Sequence, residues 1–283
     1  MKINKSLMLV VLSVCTFLGV SLINTNDIRT TSAQNRPETL HIIFDMNGVL
    51  VKNKEQSGIK QLFASMLRSK YKKKLFTFLE SLEPRCPGET CACDGDGLLI
   101  PQIMCNWLKG TQKPQEILAK IDAAAHRTDT RTVSIARSIF DPQQFVATQK
   151  LVPETIQLVK DLKQQGHKVY ILSNWDSESF KLMKASYADI FALFDGIMIS
   201  GDVGMIKPDN SIYTHLLAQC NIPCTNACFI DDQPANVAAG CKANIHSIEC
   251  KNRKKMLTTN PDIAGVRKEL YAWINNDELF AIR

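Results

Sequence analysis

Four short apolar segments of this 283-residue chain are each followed by polar side chains that can take part in catalysis. Asp45 follows the first segment, Ser173 ends the second, and Lys207 follows the third. The pair Asp231 and Asp232 ends the fourth. If the segments are parallel strands, these side chains meet at the carboxyl edge of one sheet, where such sheets bind their ligands. The sequence thereby predicts a site with three carboxylates, one hydroxyl and one ammonium group.

Three carboxylates in one site repel each other strongly unless a cation lies between them. Oxygen ligands favour a hard ion, and Mg2+ is the ion that we expect. A carboxylate can attack phosphorus while a metal ion, a hydroxyl and an ammonium group balance the charge on the phosphate oxygens. The pattern therefore predicts phosphoryl transfer from a small phosphorylated substrate.

The elements that must hold these residues alternate along the sequence. Residues 40–44 form a short β-rich apolar run, and helical and extended patterns alternate from Pro153 onward. This alternation predicts an α/β fold, a Rossmann-like doubly wound parallel sheet with helices on both faces. Further strands are expected at 168–173, 196–200, 227–231 and 245–249, and helices at 153–165, 177–185, 209–219, 234–242 and 263–275. Residues 59–82 and 117–145 also show helical spacing.

The four motifs, in this order, resemble those of the haloacid dehalogenase (HAD)-like hydrolases, in the phosphatase branch with a helical cap. The family motifs are D-x-D-G-x, a strand-final Ser or Thr, G-x-x-K-P and a strand-final acidic pair. They are matched by DMNGV at 45–49, LSN at 172–174, GMIKP at 204–208 and FIDD at 229–232. The resemblance covers residues 41–248, although the middle third matches only by its position.

The resemblance implies a set of metal ligands. Asp45, the backbone carbonyl of Asn47 and Asp232 would hold Mg2+, with Asp231 as an auxiliary ligand. Which member of the acidic pair lies nearer the metal is left open.

The resemblance also implies how phosphate is bound. Asp45 would be the nucleophile that forms an aspartyl-phosphate. Ser173 and the backbone N–H of Asn174 would bind phosphate oxygens, and Lys207 would bridge Asp45 and the phosphate.

Asn47 departs from the family pattern, because most phosphatases of the family carry a second Asp there. That Asp protonates the leaving group and later activates water, whereas an Asn cannot exchange a proton near neutral pH. Loss of such an acid–base group typically slows a reaction by about 10²–10⁴-fold. The metal ligand implied at this position is a backbone carbonyl, so metal binding is expected to survive.

Three functions therefore stay open. The preferred one is a Mg2+-dependent phosphohydrolase that works through an aspartyl-phosphate. The second is a HAD-fold binding or regulatory protein with weak or no turnover, which Asn47 supports and the intact Asp45 and Lys207 oppose. The third is a dehalogenase-type C–X hydrolase, which needs no metal and does not explain the acidic pair.

The insert between the first two motifs is expected to form a mainly helical cap at residues 52–150, on a core made of residues 40–51 and 151–283. The insert carries 16 Lys/Arg against 10 Asp/Glu. This excess is either a solvated helix face or a basic wall that faces an anionic substrate. The net charge of the whole chain is only +6, which predicts no nucleic-acid partner.

The N-terminus has the pattern of a targeting segment. Lys2 and Lys5 precede an uncharged apolar stretch at residues 7–23. Residues 1–23 are therefore predicted to be an export signal or a single-pass membrane anchor, followed by a linker at 24–39. Because the positive end stays inside, we expect an exported (periplasmic or secreted) protein, or an anchored one with its catalytic domain outside the cytosol.

The insert also contains a cluster of cysteines. Cys86, Cys91, Cys93 and Cys105 lie close together in the sequence. In an oxidising compartment this spacing predicts at least one disulfide, with several pairings open, and a zinc site is the competing interpretation.

Overall fold

The structure is a computed structural model that describes residues 39–54, 69–85, 99–255 and 258–275, without the side chains of 69–71 and 253–259. Within these ranges no helix is long and apolar enough to cross a membrane. The predicted signal or anchor at residues 1–23 lies outside them, so it stays a prediction.

The described chain contains an α/β core and a helical insert. The strands are β1 (His41–Phe44), β2 (Val51–Asn53), β3 (Gln149–Leu151), β4 (Lys168–Ser173), β5 (Gly196–Ile199), β6 (Ala227–Asp231), β7 (His246–Glu249), β8 (Asn252–Lys255) and β9 (Thr258–Pro261). The helices are α1 (Ser69–Leu82), α2 (Gln102–Leu108), α3 (Pro114–Ala123), α4 (Thr130–Phe140), α5 (Pro142–Ala147), α6 (Pro153–Gln164), α7 (Ser177–Ser186), α8 (Ala188–Phe191), α9 (Ser200–Val203), α10 (Asn210–Gln219), α11 (Pro234–Lys242) and α12 (Ile263–Ile274). Short 3-10 turns lie at Ala125–Arg127 and Cys224–Asn226.

Five parallel strands form the central sheet, in the order β5-β4-β1-β6-β7. Alternate residues of these strands point to opposite faces. Ile42 and Phe44 pack with α6 and α12 on one face, whereas Ile43 packs with α10 and α11 on the other. Because both faces are covered, the central strands β1, β4 and β6 are mainly apolar and buried, and the predicted doubly wound α/β fold is confirmed.

The helical insert leaves and rejoins the core through a two-stranded antiparallel ribbon, β2 and β3, in which Val51 pairs with Leu151. We call this ribbon the cap stem. Along the sequence, the helices α1 to α5 come between the two strands of the stem. They share an apolar core of their own, which includes Leu79, Trp107 and Phe140. The insert predicted at residues 52–150 begins and ends within the stem.

The helical spacing at 117–145 corresponds to three separate helices, α3, α4 and α5, joined by short breaks. Asp129 accepts a hydrogen bond from the Thr132 amide and begins α4. Asp141 accepts one from the Gln144 amide and, followed by Pro142, begins α5. Local N-caps therefore break the apolar period into separate helices.

The cap packs closely on the core beside the end of β4. The Ser200 hydroxyl donates to the Leu108 carbonyl at 2.6 Å, and the rings of Phe145 and Trp175 lie 5.2 Å apart. A Cβ atom on Gly110 would lie 2.2 Å from the Gly201 carbonyl oxygen. The backbones of the cap and the core can therefore come this close only because residue 110 is a glycine.

Cys105 of the insert is disulfide-bonded. The other three cysteines of the predicted cluster, Cys86, Cys91 and Cys93, lie outside the described residues, so the pairing stays a prediction.

Candidate active site

The sheet brings the first, second and fourth motifs together. Asp45 directly follows β1, Ser173 is the last residue of β4, and Asp231 is the last residue of β6. Because β1 lies between β4 and β6, Phe44 pairs with Ile171 on one side and Ile230 on the other. The three polar side chains therefore meet at the carboxyl edge of the sheet, as the sequence predicted.

Lys207 supplies the positive charge at the centre of this edge. Its side chain is only 1% exposed, and its Nζ lies 2.9 Å from Asp45 Oδ1 and 2.5 Å from Asp231 Oδ2. The same atom donates to the Leu172 carbonyl at 2.9 Å. The three donors of an ammonium group thus have three acceptors. Burial would lower the pKa of Lys207, but the charges of Asp231 and Asp45 outweigh it and raise the pKa, so Lys207 stays charged.

Asn174 fixes the loop that carries Lys207. Its Oδ1 accepts a hydrogen bond from the Lys207 amide at 2.8 Å, and its Nδ2 donates to the Lys207 carbonyl at 2.9 Å. The sequence assigned only the backbone N–H of Asn174 to the site, and nothing in the motif revealed this use of its side chain. The second motif therefore holds the third in place.

The Ser173 hydroxyl is buried, and among the described residues it has no hydrogen-bond partner of good geometry. It lies near enough to Asp45 to help lower the pKa of that carboxyl, although burial has the larger and opposite effect. A buried hydroxyl at a strand end without a well-formed hydrogen bond fits the predicted contact with phosphate.

Asp231 and Asp232 occupy different environments although they are adjacent. Asp231 is fully buried and accepts hydrogen bonds from Lys207, from the Gln233 amide and, through both oxygens, from Asn236 Nδ2. Asp232 accepts a hydrogen bond from Asn252 Nδ2 at 2.8 Å. Protein donors thus occupy both oxygens of Asp231, which leaves Asp232 better placed to contact a ligand.

The carboxylates crowd together. One oxygen of each of Asp45, Asp231 and Asp232 lies within 4.8 Å of the others. Burial raises the pKa of Asp45 to about 6, and the negative charge of Asp231 adds to this effect while Lys207 opposes it. Burial, together with the charges of Asp45 and Asp231, raises the pKa of Asp232 to about 8. One lysine does not compensate this cluster, and its oxygen ligands fit a hard divalent cation such as Mg2+.

The turn after β1 brings the first motif against Asp232. Asn47 is exposed on this turn, whereas Met46 is buried below it. Gly48 has a φ of +81°, and a Cβ atom on it would lie 2.3 Å from Asp232 Oδ2. Gly48 is therefore needed both for its left-handed backbone and for the close approach of the carboxylate.

Asn252 was not recognised from the sequence. It begins β8, which pairs with β9 in an antiparallel hairpin directly after β7. The hairpin sequence is rich in lysine and shows no apolar alternation, so no pattern marked it as a strand.

Comparison with known proteins supports the assignment of the motifs. The family model of the haloacid dehalogenase-like hydrolases matches residues 39–244. The sesquiterpene phosphatase astK of Aspergillus oryzae is 37% identical over 82 residues, which are 29% of this chain and 41% of that protein. The drimenol cyclase drtB of Aspergillus calidoustus is 32% identical over 93 residues, 32% of this chain and 17% of that protein. The matches thus span less than half the length of these curated relatives.

Solved structures show the same fold. A HAD family enzyme of Bacteroides thetaiotaomicron, in complex with magnesium and inorganic phosphate, aligns with 77% of this chain and 97% of its own at a TM-score of 0.52 and 17% identity. A HAD-like family hydrolase of Porphyromonas gingivalis aligns with 83% of this chain and 98% of its own at a TM-score of 0.52 and 16% identity. With the match over residues 39–244 and the four motifs gathered at one sheet edge, the chain belongs to the haloacid dehalogenase-like hydrolases.

Proposed function

We propose that this protein is a Mg2+-dependent phosphomonoesterase that transfers the phosphoryl group of a small substrate first to Asp45 and then to water. The observation that carries the proposal is the position of Asp45, which is 4% exposed, lies 2.9 Å from the Lys207 ammonium, and sits beside two further carboxylates. A buried carboxylate that is oriented by a lysine in an acidic cluster is suited to covalent catalysis on phosphorus. Asp45, Asp232 and the Asn47 carbonyl would hold Mg2+, with Asp231 behind them.

The reaction would proceed in two displacements at phosphorus. One oxygen of Asp45 attacks phosphorus and the bond to the ester oxygen breaks, which leaves an acyl phosphate on Asp45 and an alkoxide that takes up a proton. Water then attacks the same phosphorus and loses a proton, the bond between phosphorus and the Asp45 oxygen breaks, and inorganic phosphate leaves. Bound Mg2+ would supply positive charge that offsets the negative charge of the phosphate oxygens.

The side chains of the site would support both steps by binding phosphate. Ser173 offers a buried hydroxyl without a fixed partner among the described residues. Lys207 holds one oxygen of Asp45 and carries a charge that offsets the negative charge of the transferred group. Asn174 keeps Lys207 in position through its two backbone hydrogen bonds.

A phosphate-release screen with and without Mg2+ tests this proposal. The panel should include prenyl monophosphates, because a relative of this chain is named a sesquiterpene phosphatase, together with sugar phosphates and nitrophenyl phosphate. We expect release from at least one class, lost in EDTA and restored by Mg2+. Release that persists in EDTA, or none from any ester, would contradict the proposal.

Gly48→Ala is expected to weaken Mg2+ binding, because the added methyl group displaces the Asp232 carboxylate. Gly166→Ala is the matched control, since Gly166 has a φ of +83° but nothing within 4 Å of a Cβ atom. In EDTA both variants should lose about 1 kcal/mol of stability from the left-handed backbone, and Gly48→Ala should lose more because its methyl group also displaces Asp232. Thermal unfolding with and without Mg2+ measures the difference, because a bound ion stabilises the folded state. Equal stabilisation of both variants by Mg2+ would contradict this role of Gly48.

A catalytically weak binding or regulatory protein is the second candidate, and Asn47 favours it. Asn47→Asp separates the two, because it restores an acid at an exposed, nearly isosteric position. If the proposed function is correct, kcat/KM for alkyl phosphates should rise by about 10²-fold, because the alkoxide that leaves needs a proton. The kcat/KM for nitrophenyl phosphate should rise only a few-fold, because nitrophenolate leaves without one. Equal gains would mean that another group already supplies the proton. Inertness of both wild type and variant would favour the binding protein.

A further inference from the structure

The hairpin formed by β8 and β9 contacts the acidic cluster from outside the four motifs. It begins at Asn252, two residues after Cys250, whose amide donates to the Asp231 carbonyl at 2.8 Å. The hairpin is thus attached to the end of β6, where the acidic pair lies. None of the motif residues comes from this part of the chain.

The hairpin places one polar side chain against Asp232. Asn252 Nδ2 donates to Asp232 Oδ2 at 2.8 Å, and the same nitrogen would lie 3.2 Å from a Cβ atom on Gly48. Asn252 therefore sits in the corner between the turn after β1 and the acidic pair. A neutral amide fixes the orientation of a carboxylate without cancelling its charge, whereas a lysine or arginine there would compete with a cation.

The hairpin is itself tied to the cap stem. Lys52 Nζ of β2 donates to Asn260 Oδ1 of β9 at 2.8 Å. Asn260 pairs with Arg253, the residue after Asn252. Asn252 and Asn260 are thus two asparagines on one hairpin, and only Asn252 contacts the acidic cluster through a hydrogen bond in the structure.

We propose that Asn252 is a positioning residue that orients Asp232 for Mg2+, an inference that rests on the proposed function. The amide holds one oxygen of Asp232, which fixes the direction in which the carboxylate presents its charge. Hydrogen bonds of this kind to a ligating carboxylate are worth about 10–100-fold in metal affinity. The effect should appear in binding of the ion itself, without substrate.

The experiment is isothermal titration of the metal-free full chain with Mg2+, for wild type, Asn252→Ala, Asn260→Ala and Asp232→Asn. We expect Asn252→Ala to raise the Kd by about 10–100-fold. Asn260→Ala removes the bond to the stem but not the bond to Asp232, so it should stay within about twofold of wild type. In EDTA the two Ala variants should have similar Tm values.

Steady-state kinetics give a second readout that a merely structural role would not move. In Asn252→Ala the Mg2+ concentration needed for half-maximal rate should rise by the same factor as the Kd, while kcat at saturating Mg2+ should stay within a few-fold of wild type.

The possible failures are distinguishable. If Asp232→Asn loses Mg2+ binding but Asn252→Ala binds like wild type, the positioning role is wrong and the metal site stands. If both Ala variants weaken binding equally, the effect belongs to the hairpin as a whole and the positioning role is again wrong. If Asp232→Asn also binds Mg2+ like wild type, the proposed metal site itself fails.

Discussion

Asp45→Asn is expected to remove turnover of every phosphomonoester, because it deletes the proposed nucleophile. Loss of a covalent nucleophile lowers kcat by about 10⁴-fold or more. The variant should nevertheless fold, since Asn is nearly isosteric and Lys207 keeps its bonds to Asp231 and to the Leu172 carbonyl. Phosphate release at saturating Mg2+ measures the effect.

The same variant should be more stable than wild type at pH 8 in EDTA. Burial raises the folded-state pKa of Asp45 to about 6, above its ordinary value of 3.8. The folded protein therefore holds the proton more tightly than the unfolded chain does, and wild-type stability falls as the pH rises from about 4 through 6. An Asn has no such proton to lose, so the gain should be on the order of 3 kcal/mol at pH 8 and should vanish near pH 4.

Asp189→Asn is the matched control, because Asp189 is exposed on α8. It should change neither turnover nor stability by more than about 0.5 kcal/mol. If Asp45→Asn kept a tenth of wild-type turnover, Asp45 would not be the nucleophile.

Lys207→Met is expected to cause the largest loss of stability, together with loss of turnover. The methionine fills a similar volume but leaves Asp45 and Asp231 buried without their counter-charge, and breaking a buried pair in this way typically costs about 3–5 kcal/mol. The loss should be larger at pH 8 than at pH 5, because Asp45, with its pKa of about 6, is protonated at the lower pH. Urea unfolding in EDTA at the two pH values measures it.

Lys184→Met, at an exposed lysine of α7, is the control for this substitution and should stay within about 0.5 kcal/mol of wild type. The assignment of Lys207 would be wrong if both variants unfolded at the same urea concentration and hydrolysed substrate at the wild-type rate.

The strand-end residues could be predicted because a short apolar run followed by a polar residue has a direct structural meaning. Asp45, Ser173 and Asp231 each end or follow such a run, and the parallel sheet then places them at one edge. Lys207 lies in a loop after α9 and not at a strand end; it was placed at the same edge because it follows the third apolar segment, and the family motif agreed with this placement.

The division of roles between Asp231 and Asp232 could not be predicted. The two are adjacent in sequence, and at a strand end successive side chains point in opposite directions. Asp231 points to Lys207 and Asn236, whereas Asp232 points to the turn at Gly48 and to Asn252. Lys207, Gly48 and Asn252 come from distant parts of the chain, and only Asn236 lies nearby in the sequence, so the residues around the pair did not separate the two roles.

The cap stem and the β8–β9 hairpin were not predicted, because their strands are short or lack a clear pattern. The strands β2 and β3 have only three residues each and pair only across the whole insert, and β8 and β9 show no apolar alternation. The strands of the core, by contrast, alternate with recognisable helices, and the predicted core elements agree with the structure to within one or two residues.

The most direct test of the account is an acid-quenched reaction of the wild-type enzyme with phosphoryl-labelled nitrophenyl phosphate and Mg2+. Without an acid–base group at Asn47, water attack on the acyl phosphate should be slow relative to its formation, so the intermediate should accumulate. The account predicts a burst of nitrophenol close to one equivalent per site, and label that is bound to Asp45 and absent in Asp45→Asn. Label on another residue, or steady hydrolysis with no burst and no bound label, would contradict it.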